Sequence, residues 1–161
     1  MPRVSVCFVC TGNICRSPTA DGVMRAFVER ANLGEHVSVD SCGTHAYHVG
    51  ELPDVRSRRA ATVRGYSLTH RARVLVASDY EHFDYLLAMD TGHLGILRKR
   101  APERARARVE LFRAFDPEAA AGSEVPDPYY GEDDGFVEVL DMVERACKGL
   151  LDHISRTHRI G

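Results

Sequence analysis

Apolar positions along the 161-residue chain switch repeatedly between strand-like runs and helix-like spacing. Val4-Ser5-Val6-Cys7-Phe8-Val9 is β-branched and apolar enough for a buried strand. Beyond a polar turn, Ala20, Val23, Met24, Phe27, Val28 and Ala31 recur at i, i+3, i+4 and i+7, which predicts a helix stopped by Asn32-Leu33-Gly34. Val37-Ser38-Val39-Asp40-Ser41 reads as a second strand, and a strand reached through a helical crossover runs parallel to the first. Residues 53–64 predict a helix with a thin apolar face, ended by Gly65, and Ser78-Asp79-Tyr80-Glu81 has the pattern of a capping box. Tyr85-Leu86-Leu87-Ala88-Met89 suits a central strand. A short helix over 93–98 and a strand over 108–112 continue the alternation. Phe136, Leu140, Val143, Cys147, Leu150 and Ile154 then mark one stripe of a final helix, with 155–161 expected to fray. This order predicts an α/β fold of three layers around a four-stranded parallel sheet, with 1–161 as one unit.

Charge narrows the classes of partner. Lys and Arg total 21 against 23 Asp and Glu, a net of −2, so no global charge favours nucleic acid or an anionic membrane. Arg98, Lys99, Arg100, Arg104, Arg106 and Arg108 cluster, and read as a solvated face. No apolar run approaches the ~18 residues of a membrane span, so the expected location is cytoplasmic. Five cysteines, an odd number at irregular spacing, point to reduced thiols. Cys7, Cys10 and Cys15 lack a fourth partner at zinc spacing, so no metal is expected. Cys7 lies an odd step from Cys10 and is expected on the opposite strand face, while Cys42 and Cys147 are expected in the core.

The chemistry concentrates in Cys10-Thr11-Gly12-Asn13-Ile14-Cys15-Arg16-Ser17, a tight loop between the first strand and the first helix with a thiol at one end and a guanidinium at the other. Ser17-Pro18 reads as a helix N-cap followed by proline at the first helical position. Such a loop sits at a helix N-terminus, where free N–H groups and the dipole favour a phosphate-like anion and a thiolate over a thiol. Arg16 can hold two phosphoryl oxygens with its planar fork, and Ser17 either caps the helix or donates to the sulfur. A phosphate ester attacked by Cys10 also needs a proton for the departing oxygen. Asp127, in the loop Glu124-Val125-Pro126-Asp127-Pro128-Tyr129-Tyr130 stiffened by two prolines, is the candidate donor, and the alternative is an aspartate that only starts a turn.

The Cys-x5-Arg-Ser loop near the start, with Asp127-Pro128-Tyr129-Tyr130-Gly131 far downstream, resembles the low-molecular-weight protein tyrosine phosphatases. Ser41-Cys42-Gly43-Thr44, Thr69-His70-Arg71-Ala72-Arg73 and Ala88-Met89-Asp90 extend the likeness over nearly the whole chain. The resemblance implies a flavodoxin-like sheet and hydrolysis of phosphotyrosine in proteins through a cysteinyl-phosphate, without a cofactor. In that reading residues 11–17 (Thr11, Gly12, Asn13, Ile14, Cys15, Arg16 and Ser17) bind the phosphate or a similar oxyanion, Cys10 attacks, and Asp127 acts as general acid and then base. Asn13, Ser17, Ser41 and His70 support the loop, and Tyr47, Tyr129 and Tyr130 line the substrate pocket. Cys15 traps an oxidised Cys10 as a disulfide. The chain departs from many relatives at Tyr47, where they carry Trp. Two rivals stand beside this reading: a thioredoxin-coupled arsenate reductase, whose extra cysteines are missing from Ser78 to Asp90, and a phosphotyrosine-binding or redox-sensing module without turnover.

Overall fold

The computed structural model describes residues 3–161. Four strands, β1 (Val4–Cys10), β2 (Val37–Gly43), β3 (Tyr85–Ala88) and β4 (Arg108–Leu111), form one sheet in the order β2-β1-β3-β4. Every pairing is parallel, with Val4 opposite Val37, Val6 opposite Tyr85 and Tyr85 opposite Arg108. β1 is central and buried along all seven residues, which is why its sequence is a near-continuous apolar run. The helices are α1 (Arg16–Arg30), α2 (Val55–Val63), α3 (Asp79–His82), α4 (Thr91–Arg100) and α5 (Asp133–Thr157), with a 3₁₀ turn at Phe112–Phe115.

The alternating faces of β1 feed two cores. Val4, Val6, Phe8 and Cys10 pack with Val23 and Met24 of α1 and Val139, Val143 and Leu150 of α5. Cys7 and Val9 face the other way, with Tyr80, Phe83 and Leu97. The result is the three-layer arrangement that alternation predicts, and Cys7 and Cys10 do fall on opposite faces. Cys42 and Cys147 are both fully buried. The basic cluster from Arg98 to Arg108 is exposed, as expected of a solvated face. β1 has neighbours on both sides reached by separate crossovers, and ligand crevices form beyond the strand ends at such a switch point. Cys10 is the last residue of β1, so the loop at 11–15 opens there.

Three local expectations are corrected. Ser17 is not the N-cap: α1 starts at Arg16 with Cys15 before it as the N-cap, and Cys15 makes no side-chain cap bond. Ser78 makes no cap bond either, because Asp79 takes the Val76 N–H at 2.8 Å and pairs with Arg73. The first helix does stop at the expected Asn32-Leu33-Gly34 segment, with Asn32 in the left-handed region at φ 58°. The C-terminus does not fray: α5 continues to Thr157, Tyr85 and His158 side chains meet at 3.0 Å, and Ile160 seats in the core. That core contact ties down a segment with no helical signal of its own.

α5 lies so close to the 3₁₀ turn that a Cβ on Gly149 would sit 1.8 Å from the Phe115 carbonyl oxygen. Glycine is required there by backbone approach, in a helix interior that otherwise disfavours it. Gly149→Ala is expected to cost about 1–3 kcal/mol, as overpacking does, and to lower the melting temperature by several degrees in thermal denaturation.

Candidate active site

The loop from Cys10 to Ser17 is shaped by one amide. Asn13 is fully buried at φ 58°, a conformation asparagine tolerates better than most residues. Its Nδ2 donates to Ser17 Oγ at 2.7 Å and Ser41 Oγ at 3.1 Å. Its Oδ1 accepts the Arg73 backbone N–H at 3.0 Å and faces His70 Nε2 at the same distance. All four hydrogen-bonding positions of the side chain are therefore used. Ser41 passes its own hydrogen to Asp21 at 2.9 Å. Ser17 Oγ lies 3.0 Å from Cys10 Sγ, and because Asn13 donates to that oxygen, the Ser17 hydrogen is available to the sulfur.

Arg16 is buried, with 5% of its side chain exposed. Its Nη1 donates to Asp90 Oδ2 at 2.8 Å and to the Val125 carbonyl at 3.0 Å, and Nη2 stands 3.8 Å from Asp127 Oδ2. Among the described residues no closer polar partner of Nη2 is present, so that edge of the fork faces the cleft. Asp127 is 45% exposed, and its Oδ1 accepts the Tyr129 N–H at 3.0 Å in a local turn. The turn role and the cleft-facing carboxylate thus coexist.

A cleft of about 190 Å³ gathers Cys10, Thr11, Gly12, Ile14, Cys15, Arg16, Tyr47, His48, Asp127, Tyr129 and Tyr130. Tyr47 is 71% exposed and stacks on His45 with ring centres 5.1 Å apart. Tyr129 and Tyr130 meet edge to face at 5.0 Å. Arg56 holds this wall: it donates to the Tyr129 carbonyl at 2.9 Å and lies over the Tyr129 ring. Asn13, Ser17, Ser41 and His70 lie behind the loop, outside the cleft lining. Burial pushes the Cys15 thiol up to about 12, with the nearby Asp54 charge adding to the effect.

Several residues of the site had no role assigned from the sequence, although Asp90 and Arg73 stand in segments that carry the family likeness. Asp90 is the N-cap of α4 and accepts the backbone N–H of His93, in the first turn, at 2.9 Å. Arg73, which pairs with Asp40 at 3.0 Å and Asp79 at 3.1 Å, and Arg25, which pairs with Asp21, hold the charges behind the loop. Among the described residues, Asp21, Asp40 and His70 come close enough to share one metal ion. Their carboxylates are already engaged by Arg25, Arg73 and Ser41, which suits a hydrogen-bonded support better than a cation site.

The family profile described as low molecular weight phosphotyrosine protein phosphatase matches residues 5–159. A low molecular weight protein-tyrosine-phosphatase of Streptomyces coelicolor is 53% identical over 148 residues, covering 91% of this chain and 90% of that protein. The human low molecular weight phosphotyrosine protein phosphatase is 38% identical, covering 92% of this chain and 94% of that protein. A protein tyrosine phosphatase of Entamoeba histolytica, solved with Hepes in its active site, superposes with a TM-score of 0.90 at 38% identity, over 96% of this chain and 99% of that one.

His93 offers a direct test of the site's electrostatics. Burial pushes it down to about 4; Arg16 and His45 add to this, and the Asp90 and Asp127 charges oppose it. The unfolded chain therefore takes up a proton near pH 6.5 that the folded chain refuses until about pH 4, so stability declines as pH falls through that window. Wild type is expected to lose up to about 2–3 kcal/mol more than His93→Gln between pH 6.5 and 4. Urea midpoints at the two pH values measure it, and a pH-independent gap between the proteins would contradict a buried neutral ring.

Proposed function

This chain belongs to the low molecular weight phosphotyrosine protein phosphatase family, and we propose that Cys10, Arg16 and Asp127 hydrolyse phosphotyrosine in its protein substrates. Membership makes the protein a phosphoric monoester hydrolase acting on phosphorylated substrates. The observation that carries the residue assignment is the convergence of a sulfur, a buried guanidinium and an exposed carboxyl on one cleft at the start of a helix whose N-cap residue makes no side-chain cap bond. The N–H groups of that first turn are left for an anion.

In the first step Cys10 Sγ attacks phosphorus in line, an S–P bond forms, and the bond to the leaving oxygen breaks while Asp127 protonates that oxygen. In the second, Asp127 takes a proton from water, the water oxygen bonds phosphorus, and the S–P bond breaks to return the thiolate and release phosphate. Arg16 and the amides of the loop hold the equatorial oxygens through both steps. The Ser17 hydroxyl stabilises the sulfur anion as nucleophile and as leaving group. Each cycle balances on these side chains and water alone. Tyr47 and Tyr129 wall the cleft with aromatic faces, which favours a phenyl phosphate over a short serine phosphate.

Cys15 takes the redox role in this reading. Its thiol stays protonated at neutral pH, so oxidant reacts first at Cys10. A sulfenic acid formed there condenses with the Cys15 thiol, with loss of water, into a disulfide that thiols reduce. Residues 1–161 act as one catalytic unit, supported by the profile match over 5–159. Among the described residues no helix is long and apolar enough to cross a membrane, and we place the activity in the cytoplasm.

Cys10→Ser is expected to abolish hydrolysis of p-nitrophenyl phosphate while retaining inorganic phosphate binding by calorimetry; residual turnover would remove Cys10 as nucleophile. Asp127→Asn should lower kcat by ~10²–10⁴ with phosphotyrosine peptides, the usual weight of general acid catalysis. A phosphoserine peptide hydrolysed as well as its phosphotyrosine counterpart would reject the substrate assignment. After peroxide treatment, activity should return with dithiothreitol in wild type but not in Cys15→Ala, and equal recovery would dismiss the redox role.

A further inference from the structure

We propose that His93 is a positioning residue that braces the phosphate-binding loop across its mouth, linking Thr11 at its start to the Asp90 carboxylate that holds Arg16 at its end. The inference rests on the phosphate-binding role of the loop. His93 Nε2 lies 2.7 Å from Thr11 Oγ1. Its Nδ1 is 3.2 Å from Asp90 Oδ1, the oxygen that also accepts the His93 backbone N–H. The second Asp90 oxygen accepts from Arg16 Nη1 at 2.8 Å. The path Thr11–His93–Asp90–Arg16 therefore leaves the loop, crosses the first turn of α4 and returns to the loop.

This brace is independent of the asparagine. Asn13 and its partners hold the loop from the side of β2 and α1, whereas His93 and Asp90 hold it from the end of β3 and the start of α4. Among the described residues Thr11 is otherwise tied only through its carbonyl, which accepts the His45 N–H at 3.0 Å. Adding the bond to His93 leaves its side chain one orientation, next to the nucleophile.

The ring is 4% exposed and neutral at physiological pH. A neutral imidazole has one N–H and one bare nitrogen, and a bare Nδ1 would oppose the lone pairs of the Asp90 carboxylate. The hydrogen therefore sits on Nδ1, and Nε2 accepts from the Thr11 hydroxyl. Nδ1 is close to Asp90 without hydrogen-bond alignment, so its attraction to the carboxylate is a charge–dipole contact. The Thr11 bond is the arm whose loss should be felt.

Side chains of different reach separate this brace from simple packing. In His93→Gln the amide reaches the position of Nε2 and can keep the Thr11 bond; in His93→Leu the space is filled without it. His93→Leu and Thr11→Val should each weaken binding of inorganic phosphate by about 5–10-fold, the weight of one hydrogen bond, with a matching fall in kcat/KM. The double variant should be no worse than either single one, and His93→Gln should stay within about 2-fold of wild type. Calorimetric titration with phosphate measures this in every variant, Thr11→Val included if the His93 variants fold poorly. Unchanged phosphate affinity in Thr11→Val, or losses that multiply in the double variant, would overturn the brace. Phosphate binding reads the loop directly, so a wild-type protein that binds phosphate but hydrolyses no aryl ester would sink the catalytic reading and leave this one standing.

Discussion

The site depends on a single buried amide in a left-handed backbone. Asn13 must place two donors and two acceptor positions within reach of Ser17, Ser41, His70 and the Arg73 backbone, while its own φ stays at 58°. An aspartate in its place would lose both donors and bring a charge toward Asp21 and Asp40. An alanine would remove all four bonds, two of them to the buried hydroxyls of Ser17 and Ser41, and a polar group left without a partner in the interior costs about 1–3 kcal/mol. The loop's curvature, the orientation of Ser17 toward the sulfur and the aim of the residues after Asn13 are consequences of this one set of bonds.

Behind the amide lies a web of charges that orients more than it stabilises. Arg73 bridges Asp40 and Asp79, Arg25 engages Asp21, and His70 stands 3.6 Å from Asp21 and 3.5 Å from Asp40. Partly buried ion pairs return little net stability once desolvation is counted, yet removing one partner strands a charge at a cost of about 3–5 kcal/mol. The same logic applies at Arg16, whose position is set by Asp90 and the Val125 carbonyl before any ligand arrives. In the proposed reaction, preorganisation of this kind spares the cost of orienting the guanidinium. Exposed pairs such as Arg106–Asp84 add little.

The alternation of periods made the architecture readable, because β1 is apolar on both faces and α1 and α5 on one. Local stop and start signals were less reliable. Ser17 looked like a cap because its spacing from the helix suits one, but the buried Asn13 amide and the Cys10 sulfur claim its hydroxyl. Ser78 and Glu81 had the capping-box spacing, yet Asp79 supplies the carboxylate because Arg73 pulls it inward. The last residues lacked helical periodicity and still order, because His158 meets Tyr85 and Ile160 joins the main apolar core.

By itself the sequence determined the fold class and the local chemistry: a strand, a loop ending in Cys10 and Arg16, and a helix are consecutive, so their juxtaposition requires no long-range information. The distant Asp127 could be nominated from its proline-stiffened loop, but only the folded chain places it 3.8 Å from Arg16. Likewise Asp90, His93, Arg73 and Arg56 became part of the site through tertiary structure alone. Their partners lie 60 to 82 residues away along the chain, in the pairs Asn13–Arg73, Arg16–Asp90, Arg56–Tyr129 and Thr11–His93. Periodicity reports which face of an element is buried, whereas the meeting of two polar side chains from different elements depends on register, crossover and helix start, which the packed sheet fixes.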